Sequence, residues 1–508
     1  MSEIPTHINF RTNVQHVPAQ MPQSVRQATS KFLGTRAGVV NIVGDERWEE
    51  LRQAGHDIRL HTIENLNYYL AQLEFNVTQA GGIVHWARDA EEAREIVLEI
   101  AQEHNVQRVV KSKSMATEEI GLNHALEQVD LTVTETDLGE YIIQLAGVMP
   151  SHIIVPAVHM TKEDIADLFH DKLHVDAQPD PIKLCEIARE QLREEFLSAD
   201  MGVSGANFMV AETGTIVIVT NEGNGRMSTT LPPVHVAVVG IDKVVPDLAS
   251  LDVLLKLLPR SATGQKMSSY VSFVGGPRRT DNEHGPKEFH LVLIDNGRTK
   301  ILQDPRARET LLCIRCGVCA NVCPVYNNVG GHAYGWVYSG PIGAMLAPQL
   351  LGSQVAGDLP FASSLCGACN DYCPVKIPIT NILLHLRHRV VEGDAIEKSS
   401  APASIHNSAD LAAQAFRFPR LYELGSKILK SLQAPLRRGN WLPHLPPPMN
   451  RWTMVRPMPV FGANFRTWFR NRKPNVRQQH QQRNLGIGLV VAGIAAIGAF
   501  LLSRKRKK

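Results

Sequence analysis

A chain of 508 residues with 44% apolar and 20% charged residues is too long for one ordinary domain and too rich in core-forming residues to be disordered, so two or three domains are expected. Its formal net charge of +3 gives no global case for nucleic-acid binding. Seven of its eight cysteines fall between Cys313 and Cys373; this excludes a disulfide scaffold spread through a small secreted chain and points to metal or cluster ligation in a reducing compartment.

In chain order, the first fifteen residues, MSEIPTHINFRTNVQ, have no apolar core and no small-residue cleavage site, so a secretory signal is not expected. Residues 1–39 read as a helical extension. From about residue 40 to 303 strands and helices alternate. GGIVHWA is strand-like and DAEEAREIVLEIAQEHN helical; QRVVKSK is a strand and TEEIGLNHALEQ a helix; LTVTET, LGEYIIQLAG, SHIIVPAV and TKEDIADLFHDKL continue the pattern. Such alternation predicts an α/β domain with a largely parallel sheet. NFMVAET, GTIVIVTNE and HVAVVGID are short apolar strands, either a hairpin-rich extension or the second half of the sheet. Residues 304–390 hold the cysteines and a basic helix, NILLHLRHRVVEG. Residues 391–475 read as a wrapping or linking region, since PLRRGNWLPHLPPPMNRW cannot form a long helix.

The tail carries an uncharged run of 18 residues, Leu485 to Leu502. At about 1.5 Å per residue it would span roughly 27 Å, close to the thickness of a bilayer core, so it reads as a membrane segment. Gly488, Ala492 and Ala496 give it a smooth face for helix packing. Basic residues lie on both sides, so charge does not orient it.

CIRCGVCANVCP, Cys313 to Pro324, has the C-x2-C-x2-C-x3-C-P spacing of bacterial ferredoxins. Three thiolates close on one cubane and the fourth points to a second cluster. Zinc knuckles use two C-x2-C pairs instead. A second run, SSLCGACNDYCP, aligns from its C-P end so that Cys373, Cys369 and Cys366 match Cys323, Cys319 and Cys316, and Ser363 stands where Cys313 would repeat. Cross-ligation then assigns Cys313, Cys316, Cys319 and Cys373 to one 4Fe-4S cluster and Cys323, Cys366 and Cys369 to a second. The second cluster's fourth place is open to Ser363 through its oxygen, to Cys185, or to water, substrate or a partner; a three-iron cluster is the other solution. Cys185, in IKLCEIAREQLREEF, reads as a buried, inert thiol. Between the runs, NNVGGHAYGWVYSGPIGAM supplies glycines for close backbone approach and aromatics to shield a cluster. His332 and Tyr334 either pack there or touch an acceptor such as a quinone.

In the N-terminal half, QRVVKSKSMATEEIGL places Lys111 at a strand end and Thr117 as the expected N-cap of the next helix. Strand ends facing helix N-termini are where open α/β sheets bind ligands. Lys111, Lys113 and Thr117 are therefore candidates for holding a carboxylate or phosphate, with Arg226 as a carboxylate clamp; solvated lysines are the plain alternative. Glu135, Asp137, Glu140, Gln144, His152, His159, Glu212 and Asn224 are further polar candidates with no triad or metal spacing. Neither a Rossmann GxGxxG nor a P-loop is present, and no catalytic residue is assigned.

CIRCGVCANVCPVYNNVGGHAYGWVYSGPIGA and LPFASSLCGACNDYCPVKIP, with VVKSKSMATEEIGLNHALE, ETDLGEYIIQLAG, PSHIIVPAVHM and GVSGANFMVAETGTIVIVTNEGNGR upstream and RPMPVFGANFRTWFRNRKP downstream, closely resemble the lactate utilization protein B family over roughly residues 30 to 470. The resemblance implies an N-terminal LUD domain similar to the ribose-5-phosphate isomerase/CoA-transferase-like fold, then an α-helical ferredoxin-type two-cluster domain. It implies two 4Fe-4S clusters held by the seven cysteines, and a subunit that passes electrons from L-lactate oxidation toward the respiratory chain beside two companion subunits. The apolar tail lies outside the family pattern; with it, the expectation is a cytoplasmic protein attached to the inner membrane, with no nucleic-acid partner. The alternatives are an isomerase-like or acyl-transfer LUD half with structural or sensory clusters, a scaffold that docks other iron–sulfur proteins without redox turnover, and electron transfer from another 2-hydroxy acid or glycerol 3-phosphate.

Overall fold

The computed structural model of the chain describes residues 4–112, 114–176, 178–280, 283–447, 450–453, 457–462, 465, 468 and 469. They fall into two compact units, one up to Ala401 and one from Pro402. The first opens with four helices: α1 (Phe10–Gln15), α2 (Met21–Val43), α3 (Asp45–Glu64) and α4 (Leu66–Gln79). The boundary expected at residue 39 falls inside α2, which runs on to Gly44, a glycine at φ 87° that ends it.

The alternation read from the sequence builds a six-stranded sheet. Its strands are β1 (Ile83–Ala87), β2 (Arg108–Ser112), β3 (Thr132–Glu135), β4 (Met201–Ser204), β7 (Val234–Gly240) and β10 (Glu288–Ile294). They lie in the order β1-β10-β7-β4-β2-β3, and every neighbouring pair is parallel. The central strand β7, VHVAVVG, is buried along its whole length, as a parallel strand covered on both faces must be. A second, mixed sheet joins β5 (Phe208–Val210), β6 (Thr215–Thr220), β8 (Val244–Val245) and β9 (Tyr270–Val274) in the order β8-β5-β6-β9. NFMVAET and GTIVIVTNE thus form an antiparallel pair, while HVAVVGID belongs to the main sheet.

Two local expectations change. TEEIGLNHALEQ is split into α6 (Met115–Glu119) and α7 (Leu122–Glu127) by Gly121 at φ 64°. α5 (Ala90–Glu103) precedes them, capped by Asp89. SHIIVPAV is not a strand. Its backbone groups are taken by side chains: the Ser151 carbonyl accepts the Tyr326 and Ser339 hydroxyls at 2.7 and 3.3 Å, and His152 Nδ1 accepts from the Ile154 and Val155 amides. No ladder partner is left for it.

The cysteine module packs on the carboxyl ends of the main strands, in the same unit. Lys243, just past β7, donates to the Cys313 carbonyl at 3.3 Å. Glu119, which follows β2, accepts from the Tyr338 hydroxyl at 2.7 Å. The second unit contains helices Ala403–Arg417 and Pro419–Leu432, then a short antiparallel pair, Trp441–Leu442 with Met458–Pro459. Among the described residues no helix is long and apolar enough to cross a membrane; the run from Leu485 to Leu502 lies outside them.

Candidate iron–sulfur centre

The two cysteine runs fold into two copies of one loop, fifty residues apart. Arg315 and Leu365 both take positive φ, 58° and 55°, a conformation that side chains other than Gly seldom adopt. Gly317 and Gly367 follow at 72° and 85° and start the short helices Val318–Val322 and Ala368–Tyr372. Each helix ends on a cysteine in extended backbone, Cys323 (φ −78°, ψ 119°) and Cys373 (φ −63°, ψ 120°), followed by proline. The shared geometry comes from shared residues: glycine where left-handed backbone is needed, and C-P where the helix must stop.

Cys313, Cys316, Cys319 and Cys373 line one small cavity with Ile342, Val375 and Ile377. Cys373 comes from the second run, yet its electrostatic neighbour is Cys313. Cys323 is coupled to Cys366, and Cys369 to Cys323 and Cys366. Cys319 and Cys369 couple across the two sets. Cys373 thus lies with the first run, and Cys323 with Cys366 and Cys369 of the second. The sets differ at one ligand: Cys366 is exposed, whereas Cys313 is partly buried and Cys316, Cys319, Cys323, Cys369 and Cys373 are all buried.

The donor set fits iron–sulfur clusters. Burial pushes the Cys316, Cys319 and Cys323 thiols up, Cys373 to about 11 and Cys369 to about 12; such thiols become thiolates when a cationic metal centre supplies the compensating charge. Backbone amides already point at the sulfurs: Arg315 N–H donates to Cys313 Sγ and Ile377 N–H to Cys373 Sγ, both at 3.4 Å. Amide donors of this kind tune cluster potentials. A third observation is Tyr334. Its side chain is 0% exposed, its hydroxyl has no hydrogen-bond partner among the described residues, and its charged-form neighbours include Cys323 and Cys319. An orphan hydroxyl so placed would be free to donate to a sulfur of a bound cluster. Tyr334→Phe is expected to leave the fold intact and lower one cluster potential by about 20–65 mV, the one-electron equivalent of one hydrogen bond, as read by an EPR-monitored redox titration. Tyr334 is sealed and cannot touch a quinone. His332 is half-buried and bonded through Nε2 to the Met149 carbonyl at 2.7 Å. The glycines between the runs do permit close approach: a Cβ on Gly331 would meet the Ser151 carbonyl oxygen at 1.8 Å.

The N-terminal helices surround the first set with guanidinium groups, a role the sequence reading missed. Arg52 Nε donates to the Cys373 carbonyl at 2.9 Å. Arg59 is buried and binds the Leu311, Leu312 and Val244 carbonyls at 2.9, 3.3 and 2.8 Å. Arg36 stacks on Tyr372, 4.6 Å from its ring centroid, and its charge couples to Cys316. A signal was present: Trp48, Arg52, Gly55, Arg59 and Thr62, all buried, follow the three-to-four residue spacing of one helix stripe, with arginines in an apolar line.

A buried ion network ties this region to the sheet. Arg298 grips both oxygens of Glu119 at 2.9 Å and Asp242 Oδ1 at 2.6 Å. Asp242 Oδ2 lies 3.5 Å from Lys243 and 3.7 Å from Arg315. Against the pull of burial, Arg298 holds the Glu119 carboxyl below its ordinary value, and Lys243 with Arg298 and Arg315 does the same for Asp242.

The expected anion pocket at Lys111 and Thr117 does not form. Lys111 is 1% exposed and paired with Glu118 and, at 2.6 Å, with Glu135. Burial lowers its affinity for a proton, but the two carboxylates more than offset this and raise it. The Glu135 carboxyl is pushed up to about 8 by burial, against the pull of Lys111. The N-cap is Ser114, whose Oγ accepts the Thr117 amide at 3.2 Å; Thr117 itself is buried and donates to the Ser114 carbonyl at 2.8 Å. Buried and ion-paired in this way, with Glu140 a further electrostatic neighbour, Lys111 is engaged within the fold rather than turned to a ligand. Lys113 lies outside the described residues. Arg226 is exposed, 5.7 Å from the Tyr270 ring centroid, and joins no anion site. Asp137 caps the helix Leu138–Ala146. Gln144 bonds the backbone of Glu135 and Val133 at 2.9 and 2.8 Å. Glu212 receives the Leu248 amide and Asn224 donates to the Thr136 carbonyl. Burial lowers His152 and His159 to about 4. Cys185 is exposed rather than buried; its helix buries Leu184, Ala188, Leu192 and Phe196 instead. It lines a groove that none of the cluster cysteines lines.

A cavity of about 510 Å³ lies in the α/β half, with one residue of the cysteine module in its wall. Ile153, Val155, Thr220, Leu258, Gln265 and Arg315 are among its walls. Arg315, between Cys313 and Cys316, is the one cysteine-loop residue that reaches it. Its side chain is 9% exposed, and its Nη1 has no hydrogen-bond partner among the described residues.

Comparison with known proteins agrees with this geometry. The LUD domain family matches residues 70–294 and the 4Fe-4S dicluster domain family residues 309–377. Lactate utilization protein B of Bacillus thuringiensis (strain Al Hakam) is 44% identical over 454 residues, 89% of this chain and 94% of that protein; the proteins of the same name from Bacillus cereus (strain AH187) and Bacillus anthracis (strain CDC 684 / NRRL 3495) match equally. A crystal structure of a DUF162 family protein from Deinococcus radiodurans aligns with 45% of this chain and 98% of its own, at 14% identity and a TM-score of 0.27, too low to carry an argument. With both domains matched in order and the relatives covered almost end to end, the chain belongs to the lactate utilization protein B family.

Proposed function

We propose that this protein is the iron–sulfur electron-transfer subunit of a system that oxidises L-lactate to pyruvate, working with two companion subunits and delivering electrons toward the respiratory chain. One observation carries the reading: two sets of cysteines, neighbours through Cys319 and Cys369, run from the Cys313 loop, whose Arg315 reaches a cavity, to the exposed Cys366. The name of the relatives supplies the substrate class. Oxidising a 2-hydroxy acid to a 2-oxo acid releases two electrons and two protons, and a pair of 4Fe-4S clusters, when bound, takes one electron each. The chain's own part is to hold the two sets adjacent, to bury five of the seven thiols, and to present Cys366 at the surface. Within this reading Arg315, the cysteine-loop residue in the cavity wall, is the group suited to a substrate carboxylate, in place of Lys111 and Thr117, and the apolar run 485–502 attaches the chain to the inner membrane near a quinone or other acceptor. The test is EPR of the anaerobically purified full chain with its companion subunits, before and after L-lactate. Reduction of both clusters by L-lactate is expected; clusters that stay oxidised while lactate is supplied would overturn the reading.

A further inference from the structure

We infer that Ser363 Oγ is the fourth protein ligand of the second cluster. This inference rests on the two-cluster reading above and deepens it. Three independent features of the loop carry it.

The first is register. Counting fifty residues on from Cys313 reaches Ser363, and every other landmark of the loop repeats at that spacing. The positive-φ residues 315 and 365, the glycines 317 and 367, the helices Val318–Val322 and Ala368–Tyr372, and the terminal cysteines 323 and 373 all correspond. The internal hydrogen bonds repeat as well. Ala320 N–H reaches the Gly317 carbonyl at 3.0 Å and Asn370 N–H the Gly367 carbonyl at 2.9 Å; Asn321 and Asp371 repeat the next bond at 3.3 Å each.

The second is the side-chain atom itself. Arg315 N–H donates to Cys313 Sγ at 3.4 Å, and Leu365 N–H donates to Ser363 Oγ at 3.1 Å. The same two-residue turn captures the sulfur in one loop and the oxygen in the other. The shorter distance is that of an oxygen acceptor in place of sulfur. Ser363 Oγ thus holds the position from which Cys313 reaches the first set. Cys313 and Ser363 are also alike in depth, both partly buried.

The third is charge and anchoring. Arg387 donates to the Ser363 carbonyl at 2.9 Å and to the Pro360 carbonyl at 2.8 Å, which fixes this turn and puts a guanidinium beside it. A serine ligates iron as an alkoxide, with its proton released to solvent. A nearby cation and a backbone N–H already on the oxygen both favour the anionic form. The other candidate within the chain, Cys185, is exposed and lines a groove apart from the cysteine sets.

The experiment uses the full chain, loaded with iron and sulfide under anaerobic conditions, as wild type, Ser363→Ala and Ser363→Cys. Iron and sulfide content, Mössbauer spectra, EPR and the two reduction potentials are compared. In wild type one iron should show the Mössbauer parameters of an oxygen-ligated site, and mild oxidation should leave both clusters with four irons. Ser363→Ala should lose one iron from one cluster on the same treatment and give a three-iron EPR signal. Ser363→Cys should keep four irons, lose the oxygen-ligated Mössbauer component, and raise the potential of that cluster alone, since thiolate is the softer and weaker-field donor. Identical iron retention, Mössbauer spectra and potentials in wild type and Ser363→Ala would overturn the inference and assign the fourth place to an exogenous ligand. Purified chain lacking two clusters altogether would instead overturn the reading on which it rests. Arg387→Ala supplies a variant outside the ligand set: it should make the oxygen-ligated iron more labile in wild-type background and have no such effect in Ser363→Cys.

Discussion

Replacing Arg298 with methionine is expected to destabilise the first unit by about 3–5 kcal/mol, the range for removing one partner from a buried ion pair. The reason is the state of the groups left behind. Glu119 and Asp242 are 1% and 0% exposed, and both lose their strongest hydrogen-bonding partner. Asp242 keeps Lys243 and Arg315 at 3.5 and 3.7 Å, but among the described residues Glu119 keeps the neutral donors Tyr338 and Asn296. Because Glu119 joins the sheet to Tyr338 of the cysteine module, the loss should also be seen as poorer cluster loading. The pH dependence has a definite sign. Both carboxyls are depressed in the folded state from ordinary values of 4.5 and 3.8. Their contribution is therefore fully present above those values and lost as pH falls through the lower folded values. Arg298→Met removes the depression, so the wild type's stability advantage over the variant should be full near neutrality and shrink as pH falls through those lower values. Urea midpoints and cluster absorbance across pH, with Arg298→Lys as a charge-retaining control, check both statements; an unchanged midpoint in Arg298→Met would refute the account of this network.

Cys373→Ala should remove the cluster held with Cys313, Cys316 and Cys319 and leave the one held by Cys323, Cys366 and Cys369, although Cys373 belongs to the second run. Its thiol lines the cavity with Cys313, Cys316 and Cys319 and has Cys313 as its coupled neighbour. Conversely, Cys323→Ala should spare the cluster of Cys313, Cys316, Cys319 and Cys373. In each variant about half the iron is lost, because each cysteine serves one cubane, and the EPR of the remaining cluster identifies which survived. Lactate-dependent reduction beyond the break should fall to background in both. If Cys373→Ala and Cys366→Ala instead removed the same cluster, each run would be serving its own cluster and cross-ligation would be wrong.

Much of this protein was legible in the sequence because its rules are local. The cysteine spacing and the C-P stops set the ligand loops residue by residue, and the two loops then proved to be copies down to the sign of φ at Arg315 and Leu365. The parallel sheet followed from apolar strands alternating with capped helices, as Asp89 and Asp137 cap theirs. What failed were inferences about long-range partners. Lys111 at a strand end looks like an anion donor until Glu118 and Glu135 close on it, and SHIIVPAV has strand propensity but spends its backbone groups on Tyr326, Ser339 and His152. The placement of Arg36, Arg52 and Arg59 around the cysteines was equally invisible, since helices α2 and α3 lie about three hundred residues away along the chain. By itself the sequence determined the cofactor class, the ligand loops and the order of the two halves, all written in spacing and periodicity within a few dozen residues. Only the tertiary structure decided which charges are spent on each other and which remain for a ligand. Burial and ion pairing depend on groups that the chain brings together from far apart, and no local pattern encodes them.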